Sequence, residues 1–302
     1  MAATKRIFAL GFFDGVHLGH QALLRTCRAL ADQYGYEAGA VTFGVHPDTL
    51  IRGSTPPLIS TVPDREWLLR EVYHMDTVVT LPFDERLRTM PWLQFLRMLS
   101  SEYGAAGFVC GEDFRFGTRG EGSAALLAEY CATEWLPCAI VPEQTLDGIR
   151  ISSTHIRKLI EDGKMESATR FLGHPYRLTG TVVHGHRLGR KLGFPTANLR
   201  LPPEVVVPRF GVYACYAVID GIRYPAVTNV GTRPTVEGTG ITVEPWILDF
   251  QGDLYDRQIM LEFYRFLRPE MKFPDLASLQ QEILRNEAET RAYLKSREEL
   301  TI

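Results

Sequence analysis

Apolar and polar residues follow one pattern in the first half of the chain and another in the second. In the first half, short apolar runs alternate with stretches whose apolar residues recur every three or four positions, which is the spacing of amphipathic helices. The predicted strands cover 7–10, 38–43, 77–81, 107–110 and 137–141, and the predicted helices follow His20, cover 64–74 and 91–103, and follow Ser123. Strands that alternate with helices predict an α/β domain with a parallel sheet and helices on both faces.

The alternation stops after Gly173, and short strands with turns replace it. The predicted strands here cover 177–184, 212–219, 222–230, 241–250 and 258–267, followed by a helix over 275–294. Asp220-Gly221, between two of these runs, is a strong signal for a β-hairpin. Several short antiparallel strands predict a small β-barrel, which the last helix closes. The predicted domains are therefore residues 1–173 and 174–302.

Composition narrows the class of protein. A chain of 302 residues suits two domains, and a net charge of −3 gives no electrostatic footprint for nucleic acid. No apolar run is long enough to span a bilayer, and the first residues lack the pattern of a signal peptide. The five cysteines are scattered and form no CxxC pair, which favours reduced thiols over zinc ligands or disulfides. We therefore expect a cytoplasmic protein, a monomer or weak homo-oligomer, that acts on small molecules.

The turn between the first strand and the first helix reads GFFDGVHLGH over residues 11–20. Its glycines let a phosphate approach the backbone, and the start of the helix offers free N–H groups to an anion. His17 and His20 are three residues apart and so share one face of the first helical turn. A protonatable pair that donates N–H groups beside a phosphate suits nucleotidyl transfer. The spacing alone fits equally well two histidines that cap the helix or lie at the surface.

Two further loops fall at the carboxyl ends of the predicted strands, where ligands bind in parallel sheets. The string GEDFRFG covers 111–117 and offers Phe114 or Phe116 as a stacking face and Arg115 as a phosphate ligand, although its aromatics also suit plain packing under a loop. The string ISSTHIR covers 151–157 and is typical of a capped helix start. Its hydroxyls and arginine also suit a leaving pyrophosphate.

These three strings, in this order, resemble the motifs of the bacterial bifunctional riboflavin kinase/FAD synthetase (FMN adenylyltransferase) family. The resemblance implies a Rossmann-like nucleotidyltransferase domain in which His17 and His20 are catalytic. It also implies ATP binding by Gly11, Phe12, Asp14, His17, His20, Ser153, Thr154 and Arg157, and flavin binding by Asp113, Phe114 and Arg115. One segment departs from the family, because the usual Thr-Phe-Asp/Glu-Pro-His-Pro is Thr-Phe-Gly-Val-His-Pro over residues 42–47.

The second half contains the string GTVVHGHRLGRKLGFPTAN over residues 180–198. It lacks the spacing of a Walker A loop, but its glycines and basic residues suit phosphates. The proline-fixed turn presents Thr196 and Asn198, whose hydroxyl and amide oxygens are ligands that Mg²⁺ prefers. Composition alone also fits a basic hairpin loop. His184 and His186 have no third ligand that would make a zinc site.

The Gly-Phe-Pro-Thr-Ala-Asn portion resembles the riboflavin kinase domain of the same family. The resemblance implies ATP binding by Gly180, Gly185, Gly189, Lys191, Thr196 and Asn198, with Mg²⁺ held by Thr196 and Asn198. The strings over 229–235, 249–255 and 267–273 also match the family. Its catalytic base is the glutamate of Glu-x-His-Ile/Leu-Leu-Asp, which maps onto Glu244, with Trp246 in place of the histidine. From its position in a strand alone, Glu244 would be a solvated side chain.

The resemblance implies that ATP phosphorylates riboflavin to FMN in the C-terminal domain. A second ATP then adenylylates FMN to FAD in the N-terminal domain and releases pyrophosphate. Two alternatives stay open. A riboflavin kinase with an impaired adenylyltransferase half is favoured by Gly44-Val45 and by a chain that starts close to its first strand. A non-catalytic flavin-binding protein is disfavoured by Glu244, since binding alone requires no base.

Overall fold

The computed structural model describes residues 4–184, 193–235 and 238–299. The chain forms two compact units, Met1–Ser153 and Thr154–Ile302. The sequence pattern changes at Gly173, 20 residues after the division between the two units. The domain boundary at Gly173 therefore stays a prediction. None of the described helices combines the length and the apolar character needed to cross a membrane.

The first unit alternates strands and helices, as its hydrophobic pattern predicts. Its strands are β1 (Arg6–Leu10), β2 (Glu37–Phe43), β3 (Thr77–Leu81), β4 (Ala105–Gly111), β5 (Arg115–Phe116), β6 (Gly122–Ser123), β7 (Cys138–Val141), β8 (Thr145–Leu146) and β9 (Ile149–Arg150). Its helices are α1 (Leu18–Tyr34), α2 (Pro47–Ile51), α3 (Val62–Trp67), α4 (Glu85–Arg88), α5 (Trp92–Tyr103) and α6 (Ala124–Thr133). Five strands form a parallel sheet in the order β3-β2-β1-β4-β7. The predicted α/β domain is thus confirmed.

Both faces of this sheet are buried, as expected for parallel strands covered by helices. Side chains alternate along β1, so Ile7 and Ala9 join one hydrophobic core while Phe8 and Leu10 join the other. Because β1 and β4 are parallel neighbours at the centre of the sheet, their carboxyl ends lie at the same edge. The loops that follow these two strands are therefore brought together there.

The second unit is a barrel with helices before and after it. It contains α7 (Ser153–Glu161), α8 (Met165–Leu172), β10 (Tyr176–Val183), β11 (Asn198–Arg200), β12 (Gly211–Ile219), β13 (Ile222–Thr235), β14 (Gly238–Ile247), β15 (Gln258–Arg268) and α9 (Leu276–Glu299). The six strands close in the order β10-β11-β14-β13-β12-β15, and every pairing between them is antiparallel. The predicted barrel and its last helix are confirmed.

The turn between β12 and β13 shows how local sequence determines the pairing of two neighbouring strands of the barrel. Ile219 pairs with Ile222, so Asp220 and Gly221 form a two-residue hairpin loop. Both have positive φ, 51° and 81°. This is the backbone of the primed turns that match the twist of the strands, and Asp-Gly is among the pairs that adopt it most readily.

Candidate active sites

The loop after β1 is held in a strained conformation by the segment that precedes α3. Phe13 and Val16 have positive φ values of 59° and 41°, an uncommon backbone for any residue other than glycine. The carboxylate of Asp14, only 2 % exposed, accepts hydrogen bonds from the backbone N–H groups of Ile59 (2.8 Å) and Ser60 (3.1 Å). The Asp14 contacts thus hold the loop, and a direct part for Asp14 in ATP binding stays a prediction.

His17 and His20 form one stacked unit at the start of α1. Their ring centroids are 3.6 Å apart with planes inclined by 12°. His17 caps the helix, since its Nδ1 accepts a hydrogen bond of 3.3 Å from the backbone N–H of His20. A nitrogen that accepts carries no proton, so the proton of neutral His17 lies on Nε2.

The same surroundings keep His20 uncharged. Burial lowers the pKa of His20 well below 6.5, and the nearby His17 and Arg65 lower it further. The Nδ1 atom of His20 is buried without a hydrogen-bond partner among the described residues. At neutral pH His20 is therefore an uncharged imidazole and not an imidazolium ion.

A cavity of about 290 Å³ opens beside this pair. It is lined by the loop after β1, the loop after β4 and the segment that runs into α7. The predicted site residues that line it are Gly11, Phe12, His17, His20, Asp113, Phe114 and Ser153. Arg115 is not among its lining residues, because it lies exposed on β5 opposite Ser123. Thr154 and Arg157 lie on α7 in the second unit, so their part stays a prediction.

The cavity also contains charged residues that motif spacing did not indicate. Arg150 forms ion pairs with Asp113, at 2.6 Å, and with Glu143. Glu112 accepts a hydrogen bond of 2.9 Å from the backbone N–H of Glu143. The only sequence signal for Arg150 is its position directly before the ISSTHIR string. The lining of the cavity thus includes three carboxylates, two of which pair with one guanidinium.

The segment that departs from the family motif still supports the loop. Thr42 donates a hydrogen bond of 2.8 Å to the backbone carbonyl of Phe12. The His46 ring meets the Phe12 ring edge-on, with centroids 4.6 Å apart. Gly44 donates its backbone N–H to Leu81 in β3. The change to Gly44-Val45 therefore leaves the contacts of this segment with Phe12 in place.

In the second unit, backbone pairing brings the predicted kinase residues together on three neighbouring strands. Leu199 of β11 pairs with Val243 of β14, and Thr196 bridges to Trp246. This register sets Asn198 opposite Glu244. On the other side of β14, Asn229 of β13 pairs with Glu244. Glu244 is thus flanked by an asparagine on each neighbouring strand.

Directly opposed residues share a face of the sheet, and alternate residues along a strand return to it. Thr196, Asn198, Asn229 and Glu244 therefore lie on one face, while Val230 and Val243, next to them in sequence, are fully buried on the other. Hydroxyl, amide and carboxylate oxygens gathered on one face are the donor set that Mg²⁺ takes. The residues present fit a magnesium ion bound with a nucleotide.

Trp246, which replaces the histidine of the family motif, has a packing role. Its ring meets Phe194 edge-on at 4.9 Å and also packs against the cluster of Val212, Val227 and Leu248. The backbone N–H of Ala197 donates to the carbonyl of Pro245 at 2.9 Å. Ring packing and this hydrogen bond together fasten the turn before Asn198 to β14.

A second cavity, of about 470 Å³, lies beside this turn and includes Thr196 in its lining. Tyr255 and Phe250 contribute aromatic walls, and the His184 ring lies 3.9 Å from that of Tyr255. Gly180 lies where β10 approaches β11, with the Arg200 carbonyl 3.0 Å from the place of a Cβ. Gly185, Gly189 and Lys191 lie outside the described residues.

Comparison with known proteins decides the family. The FAD synthetase family model matches residues 1–155 and the riboflavin kinase model matches residues 172–294. The chain belongs to the bifunctional riboflavin kinase/FMN adenylyltransferase family. The resemblance inferred from the motifs is thus confirmed.

Members of this family are similar to the chain over almost its whole length. The bifunctional riboflavin kinase/FMN adenylyltransferase of Pseudomonas fluorescens is 37% identical over 95% of this chain and 92% of its own. That of Listeria monocytogenes is 35% identical, over 98% and 94%. A crystal structure described as a macrolide-efflux protein from Streptococcus pneumoniae has a TM-score of 0.86 and 29% identity, and the match covers 96% of this chain and 95% of that one.

Proposed function

We infer that the chain carries out both reactions of its family, phosphorylation of riboflavin to FMN and adenylylation of FMN to FAD. The observation that supports this most is the presence of two separate candidate sites of different chemistry. One unit has a stacked pair of neutral histidines beside a cavity, and the other has a carboxylate flanked by oxygen ligands. A kinase-only protein is not favoured, because the altered segment over 42–47 still contacts Phe12.

For the adenylyl transfer, we propose that the FMN phosphate attacks the α-phosphorus of ATP and that pyrophosphate leaves. The ionised phosphate is itself the nucleophile, so no protein nucleophile is required. The N–H groups of His17 and His20 would donate to the oxygens of the reacting phosphate, where negative charge grows. Ser153, which donates to the backbone carbonyl of Asp14 at 3.2 Å, would hold the departing pyrophosphate, and the family resemblance assigns the same role to Thr154 and Arg157.

For the kinase reaction, we propose that Glu244 takes the proton of the riboflavin 5′-hydroxyl as that oxygen attacks the γ-phosphorus of ATP. The ADP oxygen leaves as the new ester bond forms. Thr196 and Asn198 would hold Mg²⁺, which supplies positive charge to the transferring phosphoryl group when it is bound. Asn229, paired with Glu244 across β13 and β14, would fix the base from its other side. Catalysis of this kind rests on positioning and electrostatics.

Riboflavin, FMN and ATP are the substrates that the family indicates. A cytoplasmic location, a monomeric or weakly oligomeric state and the absence of nucleic-acid binding stay predictions from composition.

The decisive experiment incubates the full chain with riboflavin and Mg-ATP and separates riboflavin, FMN and FAD by chromatography. We expect FMN to rise first and FAD to follow with release of pyrophosphate. A parallel reaction with FMN and Mg-ATP isolates the second step. FMN that accumulates without FAD would assign the chain to the kinase-only alternative, and unchanged riboflavin would leave only flavin binding.

A further inference from the structure

Arg65 is a buried arginine that the two proposed reactions leave unused. It lies in α3, its side chain is completely excluded from solvent, and its Nη2 donates to the backbone carbonyl of Phe43 at 2.5 Å. Its guanidinium carbon lies 4.3 Å from the centroid of the Phe12 ring. The Nε and Nη1 atoms are buried without hydrogen-bond partners in the described part of the chain. Burying a cation with two unsatisfied donors costs folding stability, so we look for a function that the charge serves.

The charge survives burial. Loss of hydration lowers the pKa of Arg65 to about 10, while the carboxylates of Asp14 and Glu66 oppose that change. Arg65 is therefore protonated at neutral pH. The charge lies against the ring of Phe12, a residue that lines the cavity, and it is close enough to His20 to lower the pKa of that imidazole.

Phe12 is held on three sides by residues remote from it in sequence. Thr42 bonds its carbonyl, His46 meets its ring edge-on, and Arg65 lies over the ring as in a cation–π pair. Arg65 contacts Phe12 but is not among the residues that line the cavity. It is therefore placed to act by holding this ring and by its field.

The mouth of the cavity makes such a field useful. Glu112, Asp113 and Glu143 line it, and its Arg150 is engaged with two of these carboxylates. ATP and FMN are both anions, so a site built from carboxylates and neutral histidines repels them. A fixed positive charge in a low-dielectric place beneath the cavity offsets that repulsion.

We propose that Arg65 is a positioning residue for adenylyl transfer, which holds the Phe12 ring and places a fixed positive charge behind the His17–His20 pair. The proposal rests on the assignment of that pair to adenylyl transfer. Of the charged groups around His20, Arg65 and His17 both disfavour its protonation.

The test compares Arg65→Met, which removes the charge at similar volume, with Arg65→Lys, which keeps the charge but loses the planar group. Arg70→Met is the matched control. Arg70 lies just after α3 and donates to the backbone carbonyl of Val78 in β3, and it is not among the residues that line the cavity. Each variant is assayed as the full chain for kcat/KM of FMN adenylylation across pH 5 to 9. The second ionisation of the FMN phosphate is common to all variants, so a difference between their acid limbs reports the enzyme. Far-UV circular dichroism and thermal unfolding of each full-length variant report whether the first unit has folded, and riboflavin phosphorylation in the same sample reports on the second unit.

We expect Arg65→Met to lower adenylylation about 10²-fold, the size of effect that a misplaced site produces, while phosphorylation stays unchanged. Its acid limb should move to higher pH, because one of the charges that disfavour protonation of His20 is gone. Arg65→Lys should keep the acid limb of the wild type and recover part of the rate.

Two results would overturn the proposal. The first is an Arg65→Met variant that matches Arg70→Met in rate and pH profile. The second is an Arg65→Lys variant whose acid limb moves although the charge is kept, and this measurement remains decisive if Arg65→Met does not fold. Failure of the underlying assignment looks different, since FAD formation would then persist when both histidines are replaced.

Discussion

The Nδ1 atom of His17 accepts the backbone N–H of His20, and the two rings stack 3.6 Å apart. One hydrogen bond thus caps a helix, fixes a tautomer and orients a pair of donors. Both histidines belong to the one cavity of the first unit, so replacing them should affect only the reaction proposed for that cavity.

Replacement of His17 and His20 by alanine together should abolish FAD formation and leave FMN formation intact. The reason is the loss of both N–H donors from the cavity of the first unit, while the second unit keeps its own site. Chromatography of products from riboflavin and Mg-ATP measures both steps in one reaction. His74→Asn is the control, because His74 is exposed and its positive φ of 51° is one that asparagine tolerates. Continued accumulation of FAD in the double variant would place adenylylation elsewhere.

The lowered pKa of His20 can be tested directly. Burial, His17 and Arg65 hold the neutral form down to a pH well below 6.5. The His20 ring should therefore stay neutral as the pH falls through 6.5 and gain a proton only at lower pH. The measurement is a titration of the ring followed by NMR in the free enzyme, because the second ionisation of the FMN phosphate, with a pKa of about 6, adds its own acid limb to kcat/KM. A midpoint at or above 6.5 would show that His20 is not held neutral.

Glu244→Gln should lower riboflavin phosphorylation by about 10²–10⁴-fold, the usual contribution of a general base. The amide keeps the shape of the side chain and its place between Asn198 and Asn229, so folding should be unaffected. FMN adenylylation by the same sample is the internal reference. Glu204→Gln, an exposed position of the same unit, is the matched control. An unchanged phosphorylation rate would exclude Glu244 as the base.

Glu262→Gln should destabilise the barrel by about 3 kcal/mol, because it leaves a buried guanidinium without its counter-charge. Glu262 is 1 % exposed and accepts from Arg177 at 3.0 Å and Arg223 at 2.8 Å. Burial alone raises the pKa of Glu262, but Arg223 and Arg177 outweigh it and the pKa is lowered overall. Urea unfolding at neutral pH, compared with Glu204→Gln, measures the difference.

The sign of the pH effect follows from that lowered pKa. The carboxylate of Glu262 stabilises the folded state at pH values above its ordinary pKa of 4.5, and this stability is lost as the pH falls through the lower pKa of the folded state. The gap between wild type and Glu262→Gln should therefore narrow in acid. A gap that does not change between pH 7 and acid would refute the linkage.

The domain boundary can be tested with two fragments. The sequence pattern predicts that residues 174–302 fold alone, yet α8 packs on β10 and β15, and Glu166 lies 3.7 Å from Arg265 of β15. We expect both 174–302 and 154–302 to fold, with the longer fragment more stable by several kcal/mol, since each buried apolar side chain of α8 contributes about 1.5–3 kcal/mol. Thermal unfolding followed by circular dichroism compares them. Equal stability of the two fragments would favour a domain boundary at Gly173. If residues 174–302 were unfolded on their own, that boundary would be refuted.

Strong local signals predicted most of the fold. The predicted strand over 77–81 matches β3 residue for residue, and the Asp220-Gly221 turn lies where its backbone preference placed it. The predicted helix over 64–74 is instead a short helix over Val62–Trp67 with a π-helical turn over Leu68–Val72. Helix α8 and the short strand β11 were missed. Strand β11 has three residues, which is too few for an alternating pattern to show.

The candidate sites divide in the same way. The histidine pair and the Thr-Ala-Asn turn were predicted because each is contiguous in sequence. Arg65 and Asn229 gained their places only when distant segments met. Arg65 reaches Phe12 from α3, and Asn229 reaches Glu244 across a strand pair. Spacing along one chain segment carries no information about such contacts.

The register of β11 against β14 has a consequence for how this chain can vary. Side chains of neighbouring residues leave an extended chain on opposite sides, so one residue inserted between Thr196 and Asn198 would turn either the hydroxyl or the amide towards the apolar side. Substitutions in that turn are graded in their effect, whereas a change in its length is all or nothing. Among relatives of this chain we expect amino-acid substitutions in the turn to be more common than changes in its length.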